Sequence, residues 1–455
     1  MRTAAGSVLL YILLTGTIAF AQARDVGADI DGVMLPLAAR HDVSGVVLIA
    51  KGSRTIAFRS YGLANREWQV PVSRDTRFLI GSISKQFTAA GILRLQDQGK
   101  LSLEDSLSKW FPGFPSAEQI SVRLLLQHRA GLGRDLPKIE RTRTQELTTA
   151  EIIDLLEAEP IVFQPGAKTQ YSNNGYRVLA RIIELVSGRD YPDFIEDDVL
   201  RPAGMTSSGV IRPQVGVERL ARGYTPFPGP NGLGPAPFAA IRQTWGPGAV
   251  FSTADDLAKW SNALGSDLVL AEASRREMLT ATKDGRGLGL GLATRYDRPT
   301  AGHDGVYFGF NASFDRFLDD GLTIVYLGNI ETGALDQVRR ALLAIATGHM
   351  PVPASPRRAV DPNVAVEPKD YLGTYEVFPG FNLMVRNTGR ALLLGAGEGD
   401  FLLEPLSRDL FDYRLKYATV AFQRDAAGRV TGLNWQQGDQ SFVCRRIRDS
   451  APFPN

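Results

Sequence analysis

A serine three residues before a lysine occurs twice in the chain, at Ser82 and Lys85 and again at Ser106 and Lys109. On a helix, residues three apart lie on the same face and are neighbours. A neutral lysine amine beside a serine hydroxyl can take its proton and make the oxygen a nucleophile. Either pair could therefore form an acyl-enzyme with an ester or amide.

The residues that follow each pair distinguish them. Residues 87–95 are apolar around most of a helix circumference, which predicts a helix buried among other elements, whereas Pro112 ends any helix after the second pair within about one turn. Burial would lower the pKa of Lys85, and a helix start at Ser82 would offer a free N–H to an oxyanion. The alternative is a serine N-cap followed by an exposed lysine, and the short motif alone favours it.

A second motif, Tyr171-Ser172-Asn173, lies between the turn Gln164-Pro165-Gly166 and a helix predicted to begin near Asn174. The tyrosine could pass a proton between nucleophile and leaving group, and the asparagine amide could hold a substrate carbonyl. In isolation, the motif is more typical of an N-cap asparagine beside a half-buried tyrosine.

The third motif sought is a cationic or imidazole side chain on a strand, two residues before a glycine that would let a substrate lie against the backbone. Lys283 and His303 both fit this spacing. The lysine has turn-forming neighbours, whereas His303 follows a predicted strand and leads into Val306 to Phe310, which favours the histidine. A hairpin turn with a solvated histidine remains the alternative.

Composition and charge exclude several other classes. The 455 residues are 44% hydrophobic and 22% charged, which excludes a disordered chain, and 51 basic against 49 acidic residues leave only +2. With no basic run longer than a pair, no nucleic-acid partner is predicted. No Gly-x-Ser-x-Gly elbow, dinucleotide fingerprint or Walker loop occurs. A lone Cys444 and scattered histidines predict no metal and no cofactor; the histidines are His41, His128, His303 and His349.

The first 23 residues predict a signal peptide. Arg2 precedes an apolar run from Val8 to Phe20, and Ala21-Gln22-Ala23 fits the cleavage rule. The apolar run is shorter than a spanning helix, and no later segment is long enough. We expect export to a periplasm or beyond, with no stable membrane span after cleavage. An uncleaved anchor is the alternative.

Residues 24–350 predict an α+β domain, because helical patterns fill the middle and strands lie at both flanks. Five prolines between positions 351 and 368 predict a linker over residues 351–367. Residues 368–455 contain short strands separated by turns, which predict a small, closed or nearly closed β-barrel. The strands predicted in the first domain cover residues 44–50, 55–61, 287–294, 310–318 and 323–329.

In this order, Ser-x-x-Lys, Tyr-x-Asn and His-x-Gly resemble the serine β-lactamase-like family, which includes class C β-lactamases, D-alanyl-D-alanine carboxypeptidases, D-aminopeptidases and esterases. The likeness extends over most of residues 30–345. It implies an antiparallel sheet packed by a helical region, with the site in the groove between them. The segments that carry it are 78–103, 124–132, 164–205 and 251–260.

The resemblance also implies roles for the motif residues. Ser82 would be the nucleophile, Lys85 the base and Tyr171 the proton relay, and His303 stands where other members carry lysine. The C-terminal unit is similar to the lipocalin-like domain attached to some members.

The same resemblance implies a substrate-binding set. Asn173 would contact the substrate, Gly305 would let it lie against the backbone, and the N–H groups of Ser82 and Val306 would form the oxyanion hole.

The chain departs from the family pattern at Asp304 and Val306, where many members carry hydroxyl or small residues that hold a substrate carboxylate. An aspartate there would repel a carboxylate unless it pairs with an arginine such as Arg295 or Arg316. We therefore predict a serine hydrolase for esters, amides or amine-bearing peptides, with weak or absent β-lactamase activity. The alternatives are a penicillin or peptidoglycan sensor that acylates without turnover, and a true β-lactamase or carboxypeptidase.

Overall fold

The computed structural model describes residues 24–136, 146–227, 232–237, 240–353, 364, 366–378, 381–387, 389, 391–395, 400–438 and 440–448. The predicted signal peptide and most of the predicted linker lie outside these residues, so the domain boundaries stay predictions. Within the described ranges, no helix has both the length and the apolar character needed to cross a membrane.

Helices dominate the middle of the first domain. Those in the described ranges are α1 Val26–Ala39, α2 Ser84–Asp97, α3 Val122–Leu126, α4 Thr149–Glu157, α5 Asn173–Ser187, α6 Tyr191–Ile195, α7 Ala254–Ala263, α8 Glu272–Met278 and α9 Ala334–Ala346.

Strands lie at both flanks of the first domain, occur as short pairs in its middle, and make up most of the second domain. Up to residue 328 they are β1 Gly45–Lys51, β2 Arg54–Tyr61, β3 Leu63–Asn65, β4 Val70–Pro71, β5 Phe78–Leu79, β6 Gly209–Val210, β7 Tyr224–Pro226, β8 Leu233–Pro235, β9 Val250–Ser252, β10 Gly291–Arg295, β11 Arg298–Tyr307, β12 Phe310–Phe317 and β13 Leu322–Gly328. Beyond it they are β14 Gly373–Phe378, β15 Phe381–Asn387, β16 Leu392–Gly395, β17 Asp400–Leu402, β18 Glu404–Ser407, β19 Leu410–Tyr413, β20 Ala418–Arg424, β21 Val430–Gln437 and β22 Gln440–Arg448.

The central sheet is antiparallel, with strand order β10, β11, β12, β13, β1, β2. Because successive side chains on a strand point to opposite faces, Val47 and Ile49 pack against α1 and α9, whereas Val46 and Leu48 join the core shared with the helical region. The predicted α+β architecture is confirmed.

One strand differs from the sequence prediction. The sequence pattern predicts that His303 follows one strand and leads into another, but His303 lies inside β11, which pairs with β10 on one side and β12 on the other. Pro299, Gly302 and Gly305 interrupt the apolar alternation that would have predicted this strand. The predicted strand start at Gly287 is also wrong: this segment turns, with a positive φ at Gly289, before β10 begins.

The two serine–lysine pairs have different local structures. Ser82 lies in a 3-10 turn, Gly81–Ile83, that continues directly into the buried helix α2, and it caps no helix. Ser106 instead accepts a hydrogen bond from the Ser108 N–H as the N-cap of a single turn, and Lys109 pairs with Asp105. The cap alternative therefore describes the second pair and not the first.

The second domain is one nine-stranded antiparallel sheet in the order β17, β16, β15, β14, β22, β21, β20, β19, β18. Its two edge strands are consecutive in the chain and separated by Leu403 alone, so the sheet curls into a nearly closed barrel, as predicted. Tyr375, Val385, Leu433 and the free thiol of Cys444 are buried in its interior.

A turn of the barrel inserts into the first domain. The Arg414 side chain, 0% exposed, donates from Nε to Asp42 Oδ1 at 2.8 Å and from Nη2 to the carbonyls of Arg40 and His41. The Gly333 N–H, just before α9, donates to the Arg414 carbonyl at 3.1 Å. The barrel is therefore docked against the first domain through a buried ion pair.

Candidate active site

The first serine–lysine pair forms a direct contact. Lys85 Nζ lies 3.1 Å from Ser82 Oγ, 2.8 Å from Asn173 Oδ1 and 3.0 Å from the Pro247 carbonyl. The lysine is 0% exposed, and burial holds its pKa well below the usual value, since it disfavours the ammonium form; nearby Arg177 and Arg134 add to this, and Asp135 opposes it.

These three contacts suit a neutral amine. The Asn173 and Pro247 oxygens can only accept, so they take the two amine hydrogens. The nitrogen lone pair is then left to accept the hydrogen of Ser82. This is the arrangement a general base needs before serine attacks a carbonyl.

Asn173 belongs to a charged network behind the lysine. Its Nδ2 donates to both carboxylate oxygens of Asp135, each at 3.0 Å, and Asp135 also pairs with buried Arg177 at 3.1 Å. Asn173 thus bridges Lys85 to Asp135. The expected substrate contact of Asn173 stays a prediction. Sequence reasoning missed Asp135, since it lies in a loop without periodicity.

Tyr171 completes the group around the serine. Its hydroxyl interacts with Ser82, and burial raises its pKa to about 12, so it remains protonated near neutral pH. Lys85 Nζ lies 4.7 Å from the centre of its ring, with the Arg134 and Arg286 guanidinium carbons at 5.3 and 5.9 Å. Tyr171 directly precedes Ser172, whose Oγ caps α5 by accepting from the Gly175 N–H.

His303 reaches the same groove from β11. Its Nδ1 lies 2.5 Å from the Asp304 carbonyl, which can only accept, so the proton is on Nδ1. Burial lowers the pKa of His303 to about 3, and the nearby cations Arg286 and Arg339 act in the same direction. The imidazole of His303 is therefore neutral, and its unprotonated Nε2 can accept a hydrogen bond.

Asp304 does pair with an arginine, but with neither of the two considered from the sequence. Its partner is Arg339 on α9 at 2.7 Å, and Arg339 also binds Asp315 at 2.6 Å. Burial raises the pKa of Asp304 to about 6 despite this arginine. One cation between two carboxylates leaves this cluster with a net charge of −1 when Asp304 is ionised.

The backbone N–H groups of Ser82 and Val306 lie where β11 packs closely against the 3-10 turn Gly81–Ile83. A Cβ on Gly81, which has φ +51°, would lie 2.8 Å from the Val306 nitrogen, and one on Gly305 would lie 1.9 Å from the Ile80 carbonyl. Only glycine permits this approach. The Ser82 and Val306 amides are thereby brought close together, as an oxyanion hole requires.

The groove around these groups measures about 750 Å³ and receives side chains from both domains. Besides Ser82, Tyr171 and His303, the barrel residues Phe401, Tyr413, Leu415 and Lys416 line it. No local sequence pattern identifies these four barrel residues as part of the site. Within the described residues, no cluster of three or more His, Cys, Asp or Glu side chains could hold a metal ion.

Comparison with known proteins identifies the family. Residues 30–348 match the family model described as Beta-lactamase. The chain belongs to the β-lactamase family. The matched part contains every predicted site residue and the whole central sheet.

Relatives within the β-lactamase family include penicillin-binding and ester-cleaving proteins. Penicillin-binding protein 4* of Bacillus subtilis (strain 168) is 29% identical, over 90% of this chain and 96% of the relative. Esterase EstB of Burkholderia gladioli is 28% identical, over 68% of this chain and 91% of the relative. The octameric penicillin-binding protein homologue from Pyrococcus abyssi has the same fold, with a TM-score of 0.65 and 23% identity over 92% of this chain and 100% of that chain.

Proposed function

We propose that the protein is an exported serine hydrolase that cleaves an ester or a peptide-like amide through an acyl-enzyme on Ser82. The observation that carries the proposal is the contact between Ser82 Oγ and the buried Lys85 amine, 3.1 Å apart. Membership of a family with esterases and penicillin-binding proteins supports the reaction class. Export rests on the predicted signal peptide over residues 1–23.

Acylation begins when Ser82 Oγ attacks the substrate carbonyl carbon and its proton passes to Lys85 Nζ. The carbonyl oxygen becomes an oxyanion, held by the N–H groups of Ser82 and Val306. When the bond to the leaving group breaks, Tyr171 gives its proton to the departing oxygen or nitrogen and regains one from Lys85. Lys85, neutral again, then takes a proton from water as the water attacks the acyl carbon, and the bond to Ser82 Oγ breaks as Oγ regains its proton and the acid is released.

The charges at the β11 side of the groove define the substrate class. Many family members would bind a substrate carboxylate here, whereas this chain presents a neutral His303 and the Asp304 cluster with its net charge of −1. A carboxylate next to the scissile bond is therefore repelled. Neutral esters, amides and amine-bearing substrates are favoured over penicillins and D-alanyl-D-alanine peptides.

The test is covalent labelling and turnover with matched variants. Ser82→Ala should abolish both labelling by a fluorophosphonate and hydrolysis of p-nitrophenyl esters, whereas Ser106→Ala should change neither. Labelling that survives Ser82→Ala would disprove the assignment. A panel of p-nitrophenyl esters, D-amino-acid amides and nitrocefin then separates the candidates: stoichiometric acylation by nitrocefin without turnover of any substrate would favour a sensor.

A further inference from the structure

A second cavity, of about 1230 Å³, lies between the loop that leads to Tyr171 and the segment that precedes β10. One wall contains Lys168 and Thr169, and the other contains Lys283, Asp284 and Arg286. We call it the basic cavity. The Thr169 hydroxyl donates to Asp284 at 2.6 Å and so joins the two walls.

The lining of the basic cavity is strongly cationic. Six cations line it against the two carboxylates Glu277 and Asp284, and the net charge is +2 once the carboxylates that pair with two of these cations from outside the lining, Glu104 and Glu272, are included. The cations are Arg123, Arg129, Lys168, Arg276, Lys283 and Arg286.

Two of the six cations are neutralised by carboxylates: Arg123 pairs with Glu104 and Glu277, and Arg276 with Glu272.

The other four have no carboxylate partner among the residues that the structure describes. Arg129 donates to the Gly166 carbonyl, Lys168 lies 4.9 Å from the centre of the Phe163 ring, and Arg286 faces Tyr171. Lys283 is exposed and forms no ion pair within the described ranges. An excess of positive charge in a concave site raises the local concentration of anions.

Arg286 connects this cavity to the catalytic groove. It lines both spaces, and its guanidinium carbon lies 5.9 Å from the centre of the Tyr171 ring. A substrate held at Ser82 and extending past Arg286 would thus bring its far end among Lys168 and Lys283.

We propose that the basic cavity binds an anionic group, a carboxylate or a phosphate, at the far end of the substrate that is acylated at Ser82. The proposal rests on the proposed function and narrows its substrate class. A carboxylate next to the scissile bond is repelled by the Asp304 cluster, whereas one several bonds away is attracted by four cations. The site therefore selects substrates by the position of a negative charge.

Esters of graded length test this. The first series places the carboxylate on the acyl side and consists of p-nitrophenyl mono-esters of dicarboxylic acids of increasing length. The second series places it on the leaving-group side, with a neutral acyl group and the carboxylate on a tail of the phenol. Each charged ester is compared with an uncharged ester of equal length. In at least one series, the KM of the charged ester should fall about tenfold below that of its neutral partner once the tail is long enough.

The double variant Lys168→Gln/Lys283→Gln removes two of the four unpaired cations and should weaken this preference strongly while hydrolysis of neutral esters stays unchanged. The double variant Lys100→Gln/Lys369→Gln makes the same charge change at two exposed lysines outside the cavity lining and should keep the preference. Equal KM values within every pair, at every length and in both series, would overturn the proposal.

Inorganic phosphate at constant ionic strength distinguishes the source of the anion. If the cavity holds the substrate's own anionic end, phosphate should raise the KM of long charged esters and leave neutral esters unaffected. A change in neutral ester hydrolysis without any charge preference would overturn the assignment in favour of a free-anion regulatory site. If the wild type does not hydrolyse neutral esters at all, the result counts against the proposed function and not against the basic cavity, because neutral esters do not use Lys168 or Lys283.

Discussion

The imidazole of His128 stacks on the ring of Tyr171, with 4.5 Å between the ring centres, and its Nδ1 accepts a hydrogen bond from the Ser172 N–H at 3.1 Å. The His128 carbonyl also accepts from the Gln170 N–H at 2.9 Å. His128 thus holds the residue on each side of Tyr171 and contacts Tyr171 itself. It is a positioning residue for the proton relay.

Two substitutions of His128 separate the hydrogen bond from the ring. In Asn, Oδ1 can replace Nδ1 as the acceptor, and Asn tolerates the left-handed φ of +59° at this position. Phe keeps a ring but leaves the buried Ser172 N–H without a partner. We expect His128→Phe to lower kcat for p-nitrophenyl esters about tenfold with KM nearly unchanged, and His128→Asn to retain most of the activity. Equal losses in both variants, in proportion to their losses in thermal stability, would indicate a purely structural role.

Replacing Lys85 by arginine tests the base. The guanidinium keeps a positive charge but cannot accept a proton near neutral pH, so the kcat for p-nitrophenyl esters should fall at least about a hundredfold. Thermal unfolding identifies any loss that comes from misfolding. A rate close to that of the wild type would mean that the Lys85 amine does not take the serine proton.

The charge on Asp304 predicts a pH-dependent selectivity. Because the pKa of Asp304 is raised to about 6, the carboxylate is ionised above that pH and neutral below it. The ratio of kcat/KM for p-nitrophenyl butyrate to that for the p-nitrophenyl mono-ester of succinic acid should therefore fall as the pH decreases through about 6. Taking the ratio cancels the titration of groups that act on both substrates.

Asp304→Asn should remove this pH dependence, and Asp304→Thr should increase acylation by penicillin about tenfold to a hundredfold with little effect on neutral esters. If both variants match the wild type, Arg339 already neutralises the carboxylate and Asp304 has no part in substrate selection.

Docking of the barrel predicts how the two domains behave after cleavage. Proteolysis is expected within the predicted linker, and the fragments should stay associated because Arg414 is buried against Asp42. Removing one partner of a buried ion pair costs about 3–5 kcal/mol. Arg414→Ala should therefore let the fragments separate on size-exclusion chromatography. Arg429→Ala removes an exposed barrel ion pair and should not. Fragments that separate in the wild type would show that the docking contacts are weak.

Sequence predicted the parts of the site that depend on local spacing. Ser82 and Lys85 are three residues apart beside a buried helix, and Tyr171 and Asn173 flank the cap of another, so pattern alone could place each pair. The resemblance to a family then related the two pairs to His303.

Contacts between distant parts of the chain could not be predicted in this way. Asp304 pairs with Arg339, 35 residues away on α9, although Arg295 and Arg316 are closer in sequence. The stacking of His128 on Tyr171 and the entry of Lys416 into the groove likewise depend on tertiary packing, which leaves no periodic signal.

The ion pair between Asp42 and Arg414 joins residues 372 positions apart. Asp42 is synthesised early and Arg414 late, so in a growing or truncated chain Asp42 has its neighbour Arg40 as a partner but lacks the buried contact with Arg414. The wall of the groove that contains Lys416 is missing for just as long. Completion of the catalytic groove is therefore tied to completion of the polypeptide, and chains that stop before the barrel are both less stable and without part of their substrate-binding surface.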